Sequence, residues 1–93
     1  MALYLISYDI YEKDAFEYEP LWAKLRAIRA KKILYSEWVV PANSANEVFE
    51  KLSPLIQGKD RLLVQQLGPD AVWNGNLLIS EEAFQTLVAN NLS

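Results

Sequence analysis

The sequence predicts an α+β sandwich with an antiparallel sheet, and three observations support this class. The 93 residues are the length of one domain. Short strand-favouring runs alternate with two segments of about a dozen residues that have helical apolar spacing. The predicted order is β-α-β-β-α-β, followed by a strand and a short helix. This order indicates a ferredoxin-like core over residues 1–67 and a C-terminal extension over residues 68–93.

The first strand and the first helix follow from local patterning. Residues 3–8 are β-prone and apolar on nearly both faces, as in a central strand, and Asp9 lies at the carboxyl end. Residues 10–17 are polar and mostly acidic, so we expect a loop. Residues 18–30 predict a helix, because apolar residues recur at helical spacing. This stripe consists of Tyr18, Leu21, Trp22, Leu25 and Ile28.

The middle of the chain has to supply two strands in a short space. Residues 32–40 are rich in β-branched and aromatic residues, and Pro41 ends the element. They form one strand, or two short strands that meet near Tyr35 and Ser36. Because the ferredoxin-like order needs two strands here, we expect a sharp bend or a bulge near Ser36.

A capping box predicts the start of the second helix. The Ser44 side chain can accept from the backbone N–H of Glu47, and the Glu47 side chain can reach back. Gly58 is well placed to stop this helix. Its apolar face consists of Ala45, Val48, Phe49, Leu52, Leu55 and Ile56.

The C-terminal third predicts a strand, a hairpin and a helix. Residues 61–67 have the composition of the next strand. Residues 71–79 contain an Asn-Gly pair between apolar runs, which predicts a hairpin around that turn. Ser80, followed by two glutamates, opens a short helix that carries Phe84, Leu87 and Val88.

The composition excludes several classes of function. The chain has no His and no Cys, so it has no imidazole base, no thiol nucleophile and no zinc finger. Any metal would be a hard cation held by oxygen, with Mg²⁺ as the candidate. Three scattered glycines make no phosphate loop, so no organic cofactor is expected.

Compartment and partners follow from the same composition. No run approaches the ~18 apolar residues of a membrane helix, and the start lacks the pattern of a signal peptide. We therefore expect a cytoplasmic protein with no membrane partner. The formal net charge of -3 argues against strong non-specific binding to nucleic acid, which depends on Lys and Arg.

Asp9 is the leading candidate for catalysis and metal binding. It lies at the carboxyl end of a central strand, where sheets of α/β proteins commonly place ligands. Paired with the Asp9 of a second copy, it could hold Mg²⁺ and activate a water for phosphodiester cleavage. The alternative is that Asp9 ends the strand and accepts local backbone N–H bonds.

A basic run is the second candidate, as a contact for nucleic-acid phosphates. It consists of Lys24, Arg26, Arg29, Lys31 and Lys32. The alternative is that these residues complement the dipole at the end of the first helix, where cations contribute about 0.3–1 kcal/mol each. Ser36 could line a site or face a partner, or could mark the bend. Without a His base, a catalytic serine is not expected.

Self-association is the expected use of the surplus of apolar residues, which make up 52% of the chain. Both faces of the first strand are mostly apolar, and two helices can cover only one of them. A second copy is the simplest cover for the other face, so we expect a homodimer.

Several segments resemble a known family, the small CRISPR-associated adaptation protein that is the compact partner of the spacer integrase. These segments are a strand ending Tyr-Asp-Ile at 8–10, an amphipathic helix, the run Lys-Ile-Leu-Tyr-Ser-Glu-Trp-Val-Val at 32–40, a second helix and a strand ending at Leu67. The opening Tyr-Leu-Ile-Ser-Tyr-Asp, the strand Asp-Arg-Leu-Leu-Val and the tail Ala-Val-Trp-Asn-Gly are similar to its stand-alone relatives. The resemblance covers most of residues 2–79.

The resemblance implies a ferredoxin-like homodimer with sheets packed face to face, in which a C-terminal strand often adds to the partner's sheet. Some members are metal-dependent nucleases with the strand-one Asp as metal ligand near the dimer axis, and others are non-catalytic DNA scaffolds. Asp9 matches that Asp, and Ser36 matches the strand Ser. The chain departs from the family pattern after Ser36, where Glu-Trp-Val replaces Val-Phe-Glu.

Two hypotheses of function follow. The first is a homodimeric, Mg²⁺-dependent endonuclease that cleaves RNA or DNA through Asp9. The second is a non-catalytic dimeric module that binds a protein or nucleic-acid partner. A regulatory domain that binds a small molecule ranks below both, because neither a Gly-rich loop nor a cluster of polar side chains is present.

Overall fold

The computed structural model describes the backbone of residues 1–11 and 15–91, and the side chains of residues 1–11 and 18–91. Its elements are β1 (Ala2–Asp9), α1 (Ala15–Ala27), β2 (Lys31–Leu34), β3 (Glu37–Ala42), α2 (Ala45–Leu52), a 3₁₀ turn (Ser53–Leu55), β4 (Arg61–Gln66) and α3 (Glu81–Asn90). The prediction of an α+β chain with an antiparallel sheet is confirmed within these residues. The loop predicted over 10–17 falls partly on residues 12–14, which lie outside the described part, and α1 begins before Tyr18.

The four strands form one antiparallel sheet in the order β2-β3-β1-β4. The central strand β1 pairs with β3 and β4, which places Ser7 opposite Glu37 and Asp9 opposite Arg61. The run predicted as one strand or two forms two, β2 and β3, joined by a turn at Tyr35 and Ser36. The expected irregularity is a shift of register within β2 before this turn.

One face of the sheet packs against α1 and α2. The even-numbered side chains of β1, such as Ile6 and Tyr8, point into this layer because successive residues of a strand face opposite ways. Leu25 of α1 and Leu52 of α2 meet them and are completely buried. The N-cap predicted for α2 is present, since the Ser44 hydroxyl accepts from the backbone N–H of Glu47 at 3.1 Å; the Glu47 side chain reaches back one residue further than predicted and accepts from the N–H of Asn43 at 3.2 Å.

The other face is partly covered by the chain's own C-terminal segment. Leu3 and Val39 of the sheet are buried there together with Phe84 of α3. Partly buried apolar residues of the segment pack around them, namely Leu67, Trp73, Leu77, Ile79, Leu87 and Val88. A second copy was expected as the simplest cover for this face, but around Leu3 and Val39 the chain's own C-terminal segment covers it.

The predicted C-terminal strand and hairpin are wrong, while the short helix that follows is confirmed as α3. Residues 67–80 form no strand. The Asn74 side chain accepts from the backbone N–H of Asn76 at 3.0 Å, so the Asn-Gly pair makes a local turn. The Leu67 N–H donates to the Leu3 carbonyl of β1 at 2.8 Å, and the Leu78 N–H donates to the Ile33 carbonyl of β2 at 3.0 Å, which ties the segment to the sheet. The apolar side chains bury themselves on the sheet face instead of forming a strand ladder.

Candidate functional site

Asp9 is the last residue of the central strand β1. At this end of the sheet, the C-terminal segment leaves the second face open. Its side chain is 70% exposed, and its Oδ2 lies 3.5 Å from Nη1 of Arg61, which is 82% exposed. The strand register explains this contact, because Asp9 and Arg61 are direct cross-strand neighbours. The leading sequence candidate is thus accessible, with a guanidinium beside its carboxylate.

An open depression of about 370 Å³ lies on the second face of the sheet beside Asp9. Polar groups of three strands line it, and the exposed side chain of Leu63 forms an apolar border. Within it, the Ser7 hydroxyl donates to Oε2 of Glu37 at 3.2 Å. Asp9 and Glu37 therefore bring two carboxylates to one depression, and Ser7 and Ser36 bring two hydroxyls.

A second depression, of about 480 Å³, lies on the other side of Asp9. It shares Asp9, Ser36 and Arg61 with the first, so the two adjoin at these residues. Its remaining lining is aromatic, apolar and cationic, from Ile10, Tyr11, Tyr18 and Lys59. The Lys59 ammonium stands 4.8 Å from the centre of the Tyr11 ring, which is a cation–π distance.

Asp60 fixes the loop before β4 against the end of β1. Its Oδ1 accepts from the backbone N–H of Tyr11 at 2.8 Å, and its Oδ2 accepts from the N–H of Gln57 at 3.0 Å. Both oxygens are used, so Asp60 acts as a clamp between two loops. Lys59 and Arg61 flank this clamp in sequence, which holds their backbone in place beside Asp9.

A buried hydrogen-bond network supports the site from the helical side. The Tyr8 hydroxyl accepts from Nε1 of Trp22 at 2.9 Å and from Nε1 of Trp38 at 3.3 Å, and donates to the carbonyl of Tyr35 at 3.5 Å. One hydroxyl thereby uses its donor and both acceptor positions. The Tyr8 N–H also donates to the Ser36 carbonyl at 3.2 Å, which anchors the β2–β3 turn next to Asp9.

The basic run predicted as a phosphate contact does not converge on one patch. Lys31 lines a depression beneath α3 on one face of the sheet. Lys32 lies on the other face, with its ammonium 5.3 Å from the Trp22 ring and 5.8 Å from the Tyr35 ring. Neighbouring residues of a strand point to opposite faces, so the side chains of Lys31 and Lys32 lie on different sides of the sheet although they are adjacent in sequence.

The two arginines of the run are explained by the end of α1. Arg26 lies in its last turn and pairs with Glu19 at 2.7 Å on the surface. Arg29 has a positive φ of 66°, and the N–H of Ala30 donates to the Leu25 carbonyl at 2.9 Å. This is the left-handed closure that commonly ends a helix. Arg26 therefore lies where the dipole alternative places it, and the phosphate contact stays a prediction.

The donor set for a metal is incomplete within one copy. Among the residues with described positions, no group of three or more acidic side chains could hold an ion. Asp9 and Glu37 supply two carboxylates to one depression, and the Arg61 cation stands beside Asp9. A hard cation would need further oxygen ligands, from water, from a substrate phosphate or from a second copy.

Four residues of the site were missed by sequence reasoning. They come from three parts of the chain, with Tyr11 after β1, Glu37 on β3, Lys59 just before β4 and Arg61 at its start, and they meet through the strand register and the Asp60 clamp. The available signal was the Lys-Asp-Arg run at 59–61, which leads into the predicted strand, since an antiparallel partner of β1 brings its start to the end that carries Asp9.

No protein-family model matches the chain. No helix in the described part of the chain has both the length and the apolar character needed to cross a membrane. Function therefore has to be argued from the geometry around Asp9.

Proposed function

We propose that this protein is a homodimeric, metal-dependent endonuclease of ferredoxin-like fold that cleaves RNA or DNA through Asp9. The strand order supports the fold. Read from the other edge it is β4-β1-β3-β2, with α1 between β1 and β2 and α2 between β3 and β4. We also propose a relationship with the stand-alone relatives of the CRISPR-associated adaptation protein, and a cytoplasmic location.

The observation that carries the proposal is the place of the Asp9 carboxylate. It is exposed at the end of the central strand, where two depressions adjoin. A nucleic-acid strand lying across both would put a phosphate beside Asp9 and Arg61. The guanidinium of Arg61 suits a phosphate oxygen, because its planar donors match that geometry. The carboxylate supplies an oxygen ligand of the kind Mg²⁺ prefers.

The homodimer is proposed because it would complete the donor set. The sheet face next to Asp9 remains uncovered in one copy, and Leu63 there is 55% exposed. A two-fold contact over this part of the face would bury Leu63 and bring two Asp9 carboxylates together. Mg²⁺ bound between them would lower the pKa of a bound water and polarise the phosphate.

The second candidate function is a dimeric module that binds a nucleic-acid or protein partner without cleaving it. The contact between Asp9 and Arg61 favours this candidate. If the carboxylate serves to hold Arg61 in place, a metal has no role, and Arg61 contributes a contact with the partner.

A cleavage assay separates the two functions. Purified protein with Mg²⁺ is incubated with labelled RNA and DNA and compared with Asp9→Asn and with Asp70→Asn, an exposed acid on a distant turn. We expect wild type and Asp70→Asn to cleave and Asp9→Asn to lose cleavage. Equal cleavage by all three would eliminate the endonuclease. Sedimentation of the same samples tests the dimer, and a monomer at high micromolar concentration would contradict both candidates.

A further inference from the structure

The depression that joins Tyr11, Lys59 and Arg61 has a composition that neither proposed role of Asp9 requires. Its volume of about 480 Å³ is in the range of small-ligand sites. Tyr11 is 60% exposed although it is a large aromatic residue, and Lys59 lies over its ring. An exposed aromatic ring with two cations at its side is the combination that binds a nucleobase and the adjoining phosphate.

The backbone around these groups is fixed in advance. Asp60 accepts from the N–H groups of Tyr11 and Gln57, so the segments that carry the ring and the two cations are clamped together. Both Asp60 oxygens are engaged in that clamp, and the Asp9 carboxylate is the counter-charge of Arg61. Among the residues whose side chains are described, Lys59 forms no ion pair, and its ammonium lies near the Tyr11 ring, where it can meet an anion.

We propose that this depression binds single-stranded nucleic acid, with one base stacked on Tyr11 and the adjoining phosphate held by Lys59 and Arg61. The inference rests on the proposed function, because it names the substrate class of the same end of the sheet. A duplex keeps its bases stacked inside, whereas a single strand can turn a base onto an aromatic ring. The strand then passes Asp9 into the neighbouring depression, which Ser7, Ser36 and Glu37 line.

The molecule contains its own matched control. Tyr35 is 84% exposed and also has a lysine near its ring, with the Lys32 ammonium at 5.8 Å. Neither Tyr35 nor Lys32 lines the depressions at Asp9. Lys32 belongs to the basic run that the sequence suggested as a phosphate contact. The two tyrosine–lysine pairs therefore represent rival positions for the same ligand.

The test is fluorescence anisotropy with a labelled single-stranded oligonucleotide of about 12 nucleotides, as RNA and as DNA, in the presence of EDTA. We expect Tyr11→Leu to weaken binding about fivefold or more. Lys59→Gln should weaken binding and reduce the slope of log affinity against log salt by about 0.7, the value for one phosphate contact on a single strand. Tyr35→Leu and Lys32→Gln should bind as wild type does.

Other outcomes would overturn the inference. These are no binding of single strands by wild type, tighter binding of the corresponding duplex, or equal losses from the Tyr11 and Tyr35 variants.

Asp9→Asn separates this result from the proposed function. It should lose cleavage but keep or strengthen binding in EDTA, because it removes a negative charge beside the phosphate. If Asp9→Asn cleaves normally while the Tyr11 and Lys59 effects hold, the endonuclease fails and the binding site stands.

Discussion

The two faces of the sheet are built in different ways. The helical face is closed by α1 and α2, and Ile6, Leu25 and Leu52 are completely buried in it. The opposite face is covered only around Leu3 and Val39, by an irregular segment and one helix. Backbone hydrogen bonds from Leu67 to the Leu3 carbonyl and from Leu78 to the Ile33 carbonyl tie that segment to the sheet in addition to its apolar contacts.

The closed helical face holds most of the buried core, whereas the partly covered face holds the candidate site. A helix satisfies its own backbone, so it can cover a sheet face and contribute only side chains to the core. The C-terminal segment covers the face with less regular structure and stops short of the Asp9 end. Ser7, Glu37 and Leu63 are left lining an open depression there. The candidate site lies where the second face has no cover.

Leu25→Ala should have the largest effect, because it opens a cavity in the closed face. The loss is about 2–5 kcal/mol of the free energy of unfolding, the range for a fully buried leucine. Urea denaturation measures it as a lower midpoint with an unchanged slope. Leu34→Ala, at a position 43% exposed on β2, is the control and should change stability by less than about 0.5 kcal/mol. Similar losses from both variants would contradict the picture of a closed helical core.

Phe84→Ala should have an intermediate and local effect. Phe84 is buried against Trp73, with ring centres 4.7 Å apart, and it anchors α3 to the sheet. We expect the free energy of unfolding to fall by about 2 kcal/mol, which is less than the roughly 3–5 kcal/mol typical of a buried phenylalanine. The loss is limited because the C-terminal segment can detach while the rest of the molecule stays folded. Hydrogen exchange should show faster exchange in α3 while β1 amides stay protected.

Equal acceleration of exchange in α3 and β1 by Phe84→Ala would show that the two faces unfold as one cooperative unit. Val72→Ala provides the control, because Val72 lies in the same segment and is exposed. It should leave exchange in α3 unchanged.

Local signals in the sequence were sufficient for the helical face. The stripe through Leu21 and Leu25 and the N-cap at Ser44 depend on residues within a few positions of one another, and both are present. The turn at Tyr35 and Ser36 was also expected, because the fold order requires two strands between the helices. The residues of 32–40 left open only whether the run forms one strand or two, since their composition suits both.

The second face depended on contacts between distant residues, and there the prediction failed. The Asn-Gly pair is a strong local hairpin signal. In the structure, however, Trp73, Leu77 and Ile79 do not form a hairpin. They pack in one apolar cluster with Leu3 and Val39, which lie far away in sequence. The candidate site divides in the same way. The position of Asp9 follows from its own strand, but its neighbour Arg61 follows from the register of β1 with β4.

The N-caps of α2 and α3 give the smallest and most closely matched comparison of the two faces. The Ser44 hydroxyl accepts from the Glu47 N–H and the Ser80 hydroxyl accepts from the Ala83 N–H, both at 3.1 Å. An N-cap serine replaced by alanine costs about 1 kcal/mol of helix stability.

If the faces are energetically separate, Ser44→Ala should lower the free energy of unfolding of the whole molecule by about that amount. Ser80→Ala should instead accelerate exchange in α3 with a smaller change in the urea midpoint. Glycine at either position should restore most of the loss, because glycine is a good N-cap. Equal shifts of the urea midpoint by the two alanine variants would mean that the C-terminal segment is as much a part of the cooperative core as α2.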